Sequence, residues 1–394
     1  MYEKKLSILI PTKNRQKYAA NCIKTLLGFH GDGYEIVVHD NSDDDSLKHV
    51  LGNLIDGKKL KYAYHGECLS FCANFEKTVE MSSGDYLITI GDDDCVLPEI
   101  VDLTNVIRER GIHSVVFETS DSYIWPNAVG TMGAKLVVRK KRCKIKKVST
   151  ENAIKAMVKK GDFDYQKFSF PKIYHGIISR EKLDLVKQKT GHFFGGLTPD
   201  IYSAVSLSFY IDDILYINTP FTLPGTCPKS GSADSLTGRH TGELSKAPHF
   251  RGHVNYEWDK DIPYVYSVDT IWAETAFKAI KENGGDISLS NDEYKAFLTH
   301  IIRRCPMFKK RMVDFYLQKY QNADEEKARR FFERSVKSLK RKYFLKKGTA
   351  FGLQLLRGRY AYHNVLSIED AIKIVKSRRK NYAKVLKKVQ KFNW

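Results

Sequence analysis

The stretch YLITIGDDDCVLP, residues 86–98, runs from apolar residues into three consecutive carboxylates and stops at a proline. Three like charges at the end of a buried strand repel one another and lose solvation, so something positive has to face them. The residues around this stretch alternate between two periods. Short apolar runs at 6–10, 34–40, 60–65, 85–91 and 114–118 read as strands. Segments 15–29, 43–55, 70–84 and 98–110 carry apolar residues at helical spacing. Regular βαβ alternation predicts an α/β fold, a mainly parallel sheet with helices on both faces. In such sheets ligands bind beyond the carboxyl ends of the strands. PTKNR (11–15), HDNSDDD (39–45) and GDDDC (91–95) fall at three of those ends and are expected to converge on one crevice.

Beyond residue 120 the pattern loosens. The run VVRKKRCKIKKV (137–148) suits an edge hairpin, because alternating lysines solvate a sheet edge. Residues 172–180 read as a strand, 181–189 as a helix, and 197–207 as a loop leading into a helix with Asp200 in its first turn. Residues 211–224 are strand-like. Residues 225–243 are rich in Gly, Ser and Thr without periodicity, as in a functional loop. Residues 367–394 read as one amphipathic helix, with Ile368, Ile372, Val375, Tyr382, Leu386 and Val389 on its apolar stripe.

The chain of 394 residues is 42% apolar and carries a net charge of +19. Residues 301–394 hold 27 Lys and Arg against 7 Asp and Glu, whereas the first 300 hold 38 against 39. A near-neutral body with a strongly basic tail suggests two partners. We expect a domain over 1–260, with a nucleotide-binding half at 1–120 and an acceptor half at 121–260, and a helical basic region over 261–394. No stretch approaches a membrane span or a signal-peptide core, so cytoplasmic residence is expected. The seven cysteines form no CxxC pair and read as reduced, mostly buried thiols, with Cys68 and Cys72 on one helix face.

Asp92, Asp93 and Asp94 are hard oxygen ligands suited to Mg²⁺ or Mn²⁺, which take one or two carboxylates and leave room for phosphate. A metal-bridged diphosphate is a good leaving group. Asp40 directly follows a strand, where it can accept from a ribose or base. Asp43, Asp44 and Asp45 read as helix N-capping residues.

Taken together, SILIPTKNR, EIVVHDNSDDD and SSGDYLITIGDDDCVLP resemble the family 2 nucleotide-sugar glycosyltransferases of GT-A fold. The likeness is good over about 5–120 and looser over 170–215. It implies an inverting transfer from a nucleotide-sugar, UDP-linked by default, to a glycan or lipid-linked acceptor. Bacterial capsule or O-antigen synthesis is the expected setting. It also implies that Pro11, Thr12, Asn14, Arg15 and Asp40 hold the nucleotide. Asp92 would lie near ribose and diphosphate, and Asp93 and Asp94 would hold the metal. Gly91 stands where many members carry an acid. The family's later Asp corresponds to Asp200, the expected general base, with Asp212 and Asp213 as substitutes. From the 225–243 loop, His240 is a candidate metal ligand, and Arg239 and Lys229 are candidate phosphate clamps. Phe193, Phe194 and Trp258 are either sugar-stacking or core residues.

The basic tail admits three readings. They are docking on an anionic membrane at the inner leaflet, packing on the catalytic domain, and homo-oligomer contact. Nucleic-acid binding would explain the tail but leaves the strand-end acids without a role. A nucleotidyltransferase would be expected to carry glycine in the PTKNR turn, and there is none.

Overall fold

A computed structural model describes residues 5–128, 133–139, 143–231, 233–234, 240–357, 359–379 and 382–394, with the backbone alone over 345–357 and at 359. The strands of the main sheet are β1 (Leu6–Thr12), β2 (Tyr34–Asp40), β3 (Leu60–Tyr64), β4 (Tyr86–Thr89), β5 (Ser114–Phe117), β6 (Ile145–Ser149), β7 (Gly176–Ser179) and β8 (Asp213–Ile217). Their order is β3-β2-β1-β4-β7-β5-β8-β6. The first four are parallel, as is β5 with β8, while β7 and β6 run antiparallel to their neighbours.

The period-2 pattern of the strands separates two cores. Leu6, Ile8, Ile10, Ile36, Val38 and Ile88 face one core, and Leu9, Val37 and Leu87 face the other. Both sheet faces are therefore apolar and both are covered. Helices α1 (Gln16–Leu27), α2 (Ser46–Leu51), α3 (Phe71–Met81), α4 (Ile100–Glu109), α5 (Ala153–Lys160), α6 (Arg180–Thr190) and α7 (Pro199–Leu207) follow the strands. Helices α8 (Val268–Glu282), α9 (Asn291–Arg304), α10 (Lys309–Lys319) and α11 (Glu325–Arg357) come next, and their apolar residues join the second core.

Three expectations change. The 137–148 run is not a hairpin. Lys135–Arg139 pairs with Ser122–Ile124 and Arg359–Tyr362 in a separate sheet, while Ile145–Ser149 is the edge of the main one. Cys68 precedes α3 and is exposed, so it shares no helix face with Cys72; of the seven free thiols, five are buried. The tail forms two helices, α12 (Ile368–Arg378) and α13 (Tyr382–Lys391).

The tail's apolar stripe is already spent. Ile368, Ile372, Val375, Tyr382 and Val389 are buried in the same core as α1 and α4. Arg379, at the end of α12, makes a bidentate pair with Asp121, Nη2 to Oδ1 at 2.7 Å and Nε to Oδ2 at 3.0 Å. Both side chains are nearly sealed from solvent. An apolar face lying in a lipid headgroup layer is therefore not what this tail offers. Four of its lysines, Lys384, Lys387, Lys388 and Lys391, line a hollow together with Lys144 and Lys146 of the body. Among the described residues no helix is long and apolar enough to cross a membrane.

Candidate active site

A cleft of about 990 Å³ opens over the carboxyl ends of the strands. Pro11, Thr12 and Arg15 from the β1 turn line it, with Asp93 and Asp94 from the β4 loop. So do Asp200 at the start of α7, and Lys229 and His240 beyond β8. The first and fourth strand ends thus share one crevice as the strand-end argument predicts, whereas the 39–45 end, expected there too, does not line it; Asp200, Lys229 and His240 join from more than 100 positions away. Arg239 lies outside the described residues.

The positive partners of the acid triplet come from elsewhere in the chain. Arg15 Nε lies 2.9 Å from Asp92 Oδ1, and its Nη1 lies 3.3 Å from Asp93 Oδ1. Thr12 Oγ1 donates to Asp92 Oδ2 at 2.6 Å. Arg15 reaches back because Asn14 takes a left-handed φ of 56° and turns the chain into α1. Asp94 has the fullest set of donors. Its Oδ2 accepts from Gly91 N at 2.7 Å and Tyr174 OH at 3.0 Å, and meets His175 Nε2 at 3.0 Å. Its Oδ1 accepts from Gly225 N at 2.6 Å. Cys227 N donates to Asp93 Oδ2 at 2.9 Å.

These contacts reassign several residues. Asp94, expected as a metal ligand, has both oxygens filled and serves as the knot of the loop. Asp92, expected near ribose and diphosphate, is fully buried and held by Thr12 and Arg15 beneath the cleft floor. Asp40, expected as a nucleotide contact, is fully buried and accepts from Ser42 N at 2.9 Å and Tyr62 OH at 2.7 Å. Asn14 clamps the neighbouring turn, its amide donating to Asp43 at 2.8 Å. Of the three acids read as N-caps, only Asp44 serves that end of α2, through Ser46 N, and the Asp45 side chain makes no cap bond. Asp213 pairs with Lys147 at the sheet edge, and neither it nor Asp212 lines the cleft. Phe193, Phe194 and Trp258 belong to the core.

Gly91 has a local reason. A Cβ there would sit 2.8 Å from Asp94 Oδ2 and 3.1 Å from Tyr174 OH, so a side chain would displace the knot. Gly225 is tighter, since a Cβ would fall 1.8 Å from Asp93 O. Sequence reasoning missed Gly225, Tyr174 and His175. The one available signal was that Gly225 opens the loop already marked as functional.

Electrostatics separates the three acids. Burial pushes the Asp92 carboxyl up to about 7 against the pull of Arg15, and the Asp93 charge adds to the rise. Asp93 is likewise raised by burial and by Asp94. For Asp94, burial is outweighed by His175 and the backbone donors, and its carboxyl lies below the ordinary range. A buried end in which two acids resist ionisation is one that a cation would relieve. Asp93 is the carboxylate of that pair on the cleft wall, so the donor set fits one hard cation held by one carboxylate with phosphate completing its shell. His240 lines the same cleft, with its ring centroid 6.1 Å from that of His249.

Asp200 sits at the second position of α7, behind Thr198 and Pro199. Tyr165 OH donates to its Oδ2 at 3.2 Å. Burial raises its carboxyl, opposed by the Ile201 N–H and the Tyr165 hydroxyl. A desolvated carboxylate of raised basicity, facing a cleft, suits proton abstraction.

Residues 7–122 match the family described as Glycosyl transferase family 2. A 95-residue segment is 30% identical to a GalNAc(5)-diNAcBac-PP-undecaprenol beta-1,3-glucosyltransferase of Campylobacter jejuni, covering 24% of this chain and 31% of that protein. The chain thus spans about a third of that curated relative. Among solved structures, S. aureus TarS 1–349 in complex with UDP-GlcNAc aligns with a TM-score of 0.49 at 14% identity, over 87% of this chain and 92% of that one. The mannosyltransferase PcManGT from Pyrobaculum calidifontis, in complex with GDP-Man and Mn²⁺, aligns with a TM-score of 0.43 at 11% identity, over 98% and 89%.

Proposed function

Because residues 7–122 form a family 2 glycosyltransferase domain, we propose that this chain moves a sugar from a nucleoside-diphosphate sugar to a glycan or lipid-linked acceptor. The observation that carries the proposal is the single cleft that joins the β4 acid loop to Asp200.

Asp93 is the protein carboxylate for Mg²⁺ or Mn²⁺, with His240 as the loop's contribution. Bound there, the cation offsets charge on the leaving diphosphate. Lys13, Arg15 and Lys229 line the same end and suit phosphate. Asp200 accepts the proton of the acceptor hydroxyl as that oxygen attacks the anomeric carbon. The new C–O bond forms on the face opposite the breaking bond to diphosphate, so the configuration inverts. Tyr165 holds the Asp200 carboxylate in place and keeps one of its oxygens oriented.

The relative's lipid-linked substrate supports an acceptor of that kind, in bacterial surface polysaccharide synthesis. Contact with an anionic leaflet would run through the exposed lysines of the tail hollow, as its apolar stripe is occupied.

The test is a thermal-shift panel of UDP-, GDP-, CDP- and dTDP-sugars, with Mn²⁺ or with EDTA, on wild type and Asp93→Ala. One nucleotide class should stabilise the protein, UDP being the first to try, and EDTA or the substitution should abolish the shift. No shift with any of the four removes the proposal.

A further inference from the structure

The acceptor end of the cleft contains a cation that nothing in the reaction above uses. Lys172 lines the cleft in the segment that leads into β7. Its Nζ is 5.6 Å from the centroid of the Tyr165 ring, and the hydroxyl of that ring is bonded to Asp200. One tyrosine therefore separates this ammonium from the candidate base. The residues that follow Lys172 are pinned, which fixes where its stem leaves the backbone. Thr89 N donates to Ile173 O at 2.9 Å, and Tyr174 is tied to Asp94.

Among the described residues Lys172 has no hydrogen bond or ion pair. The nearby acids have other partners. Asp164 meets Lys167 at 3.2 Å and Arg304 at 3.4 Å, and Glu118 accepts from Tyr216 OH at 2.8 Å. Burial lowers the Lys172 ammonium pKa more than Asp164 and Glu118 restore it. Lys172 is half-buried on the cleft wall, and the Tyr165 ring face is a weak match for a full charge that is only partly hydrated. The arrangement makes sense if a ligand brings the anion. The strand order places Glu118, just after β5, beyond β4 and β7 from the Arg15 turn. The unmatched charge thus faces the acceptor side of the cleft.

We infer that Lys172 is an acceptor-specificity residue that receives an oxyanion of the acceptor, either a carboxylate of an acidic sugar or a phosphate, one tyrosine ring away from Asp200. The inference rests on the glycosyltransferase reading and narrows its acceptor to an anionic one.

The experiment uses the full chain with saturating UDP and Mn²⁺. Binding of methyl glucuronide, methyl glucoside and inorganic phosphate is titrated by calorimetry or ligand-observed NMR. Wild type, Lys172→Met and Lys172→Arg are compared, each checked for an unchanged melting temperature. Methyl glucuronide or phosphate should bind wild type about 10–100-fold better than the neutral glucoside, the range of one charge-assisted hydrogen bond. Which of the two anions binds identifies the source. Lys172→Met should lose that preference and Lys172→Arg should retain most of it, with UDP affinity equal in all three. Equal binding of charged and neutral glycosides by wild type overturns the inference. So does a preference that survives in Lys172→Met. Loss of UDP binding in Lys172→Met would assign the lysine to the donor diphosphate and overturn it as well. Absence of UDP binding in wild type would count against the glycosyltransferase reading itself, because the glycoside comparison can be repeated without nucleotide. If Lys172→Met melts early, Lys172→Gln replaces it.

Discussion

The two ends of the cleft treat carboxylates differently. At the β4 end, all three acids are buried and held by donors from four separate segments of chain, with Asp93 and Asp94 on the cleft wall and Asp92 beneath it. At the α7 end, Asp200 takes the Tyr165 hydroxyl at 3.2 Å together with the Thr198 side chain and the Ile201 N–H, and burial still makes its carboxyl more basic. Carboxylates whose oxygens are all occupied hold backbone in place. One that keeps capacity can accept a proton or a ligand. Acid count in the sequence points to the β4 end as the chemical one, whereas position in the structure sets Asp92 beneath the cleft and leaves Asp93 and Asp94 on its wall.

The sharpest way to break this comparison is Asp200→Asn. We expect kcat to fall by about 10²–10⁴-fold with donor binding intact, the range for a lost general base. Steady-state kinetics beside a nucleotide-binding assay decides it, and a retained kcat would move the base elsewhere. The next effect concerns Asp121, a cleft-wall acid filled as completely as Asp94. Arg379→Met should cost about 3–5 kcal/mol in urea unfolding, because it strands a buried charge. Adding Asp121→Leu should recover much of that loss. A third test is Gly225→Ala, where the new methyl meets Asp93 O. Stability should drop by about 3 kcal/mol, and Mn²⁺-dependent nucleotide binding should weaken with it. An unchanged melting curve would show that the loop yields more easily than its contacts suggest.

The smallest effect is in pH. Asp92 binds its proton more tightly folded than unfolded. Its contribution is therefore intact below the ordinary carboxylate value of about 4 and is lost as pH rises through about 7. Asp94 has the opposite sign, and its contribution is lost as pH falls through the range below 4. In EDTA, stability should decline from pH 5 to pH 8, and either Mg²⁺ or Asp92→Asn should flatten that decline. A slope left unchanged by both would place the coupling in another group.

Much of this was legible beforehand. The apolar runs marked the first five strands, and their alternation with helices implied one crevice holding Thr12, Arg15 and the β4 acids, while Asp200 was reached through the family resemblance and the 39–45 end proved to lie off the cleft. Partners distant in sequence were not legible. Arg15 and Asp92 are far apart along the chain, as are His175 and Asp94, and no local pattern records that they meet. Asp40 looked like a ligand contact because it ends a strand, but only the fold shows Tyr62 already donating to it. The tail's stripe was visible as a period of apolar residues, and what covers it was not. Periodicity reports that a face will be buried, not against which surface.

The covering of that stripe bears on how the molecule is made. The first core, begun by β1 and α1, is closed by α12 and α13, whose residues are synthesised more than 300 positions later. Domains commonly fold as they emerge from the ribosome. Here the outer faces of α1 and α4 must wait, apolar and uncovered, for the final helices, and such long-range closure is slow. The nascent chain is thus an expected client for chaperones, and a ribosome that stops before α12 would release α1 and α4 with their outer apolar sides wet.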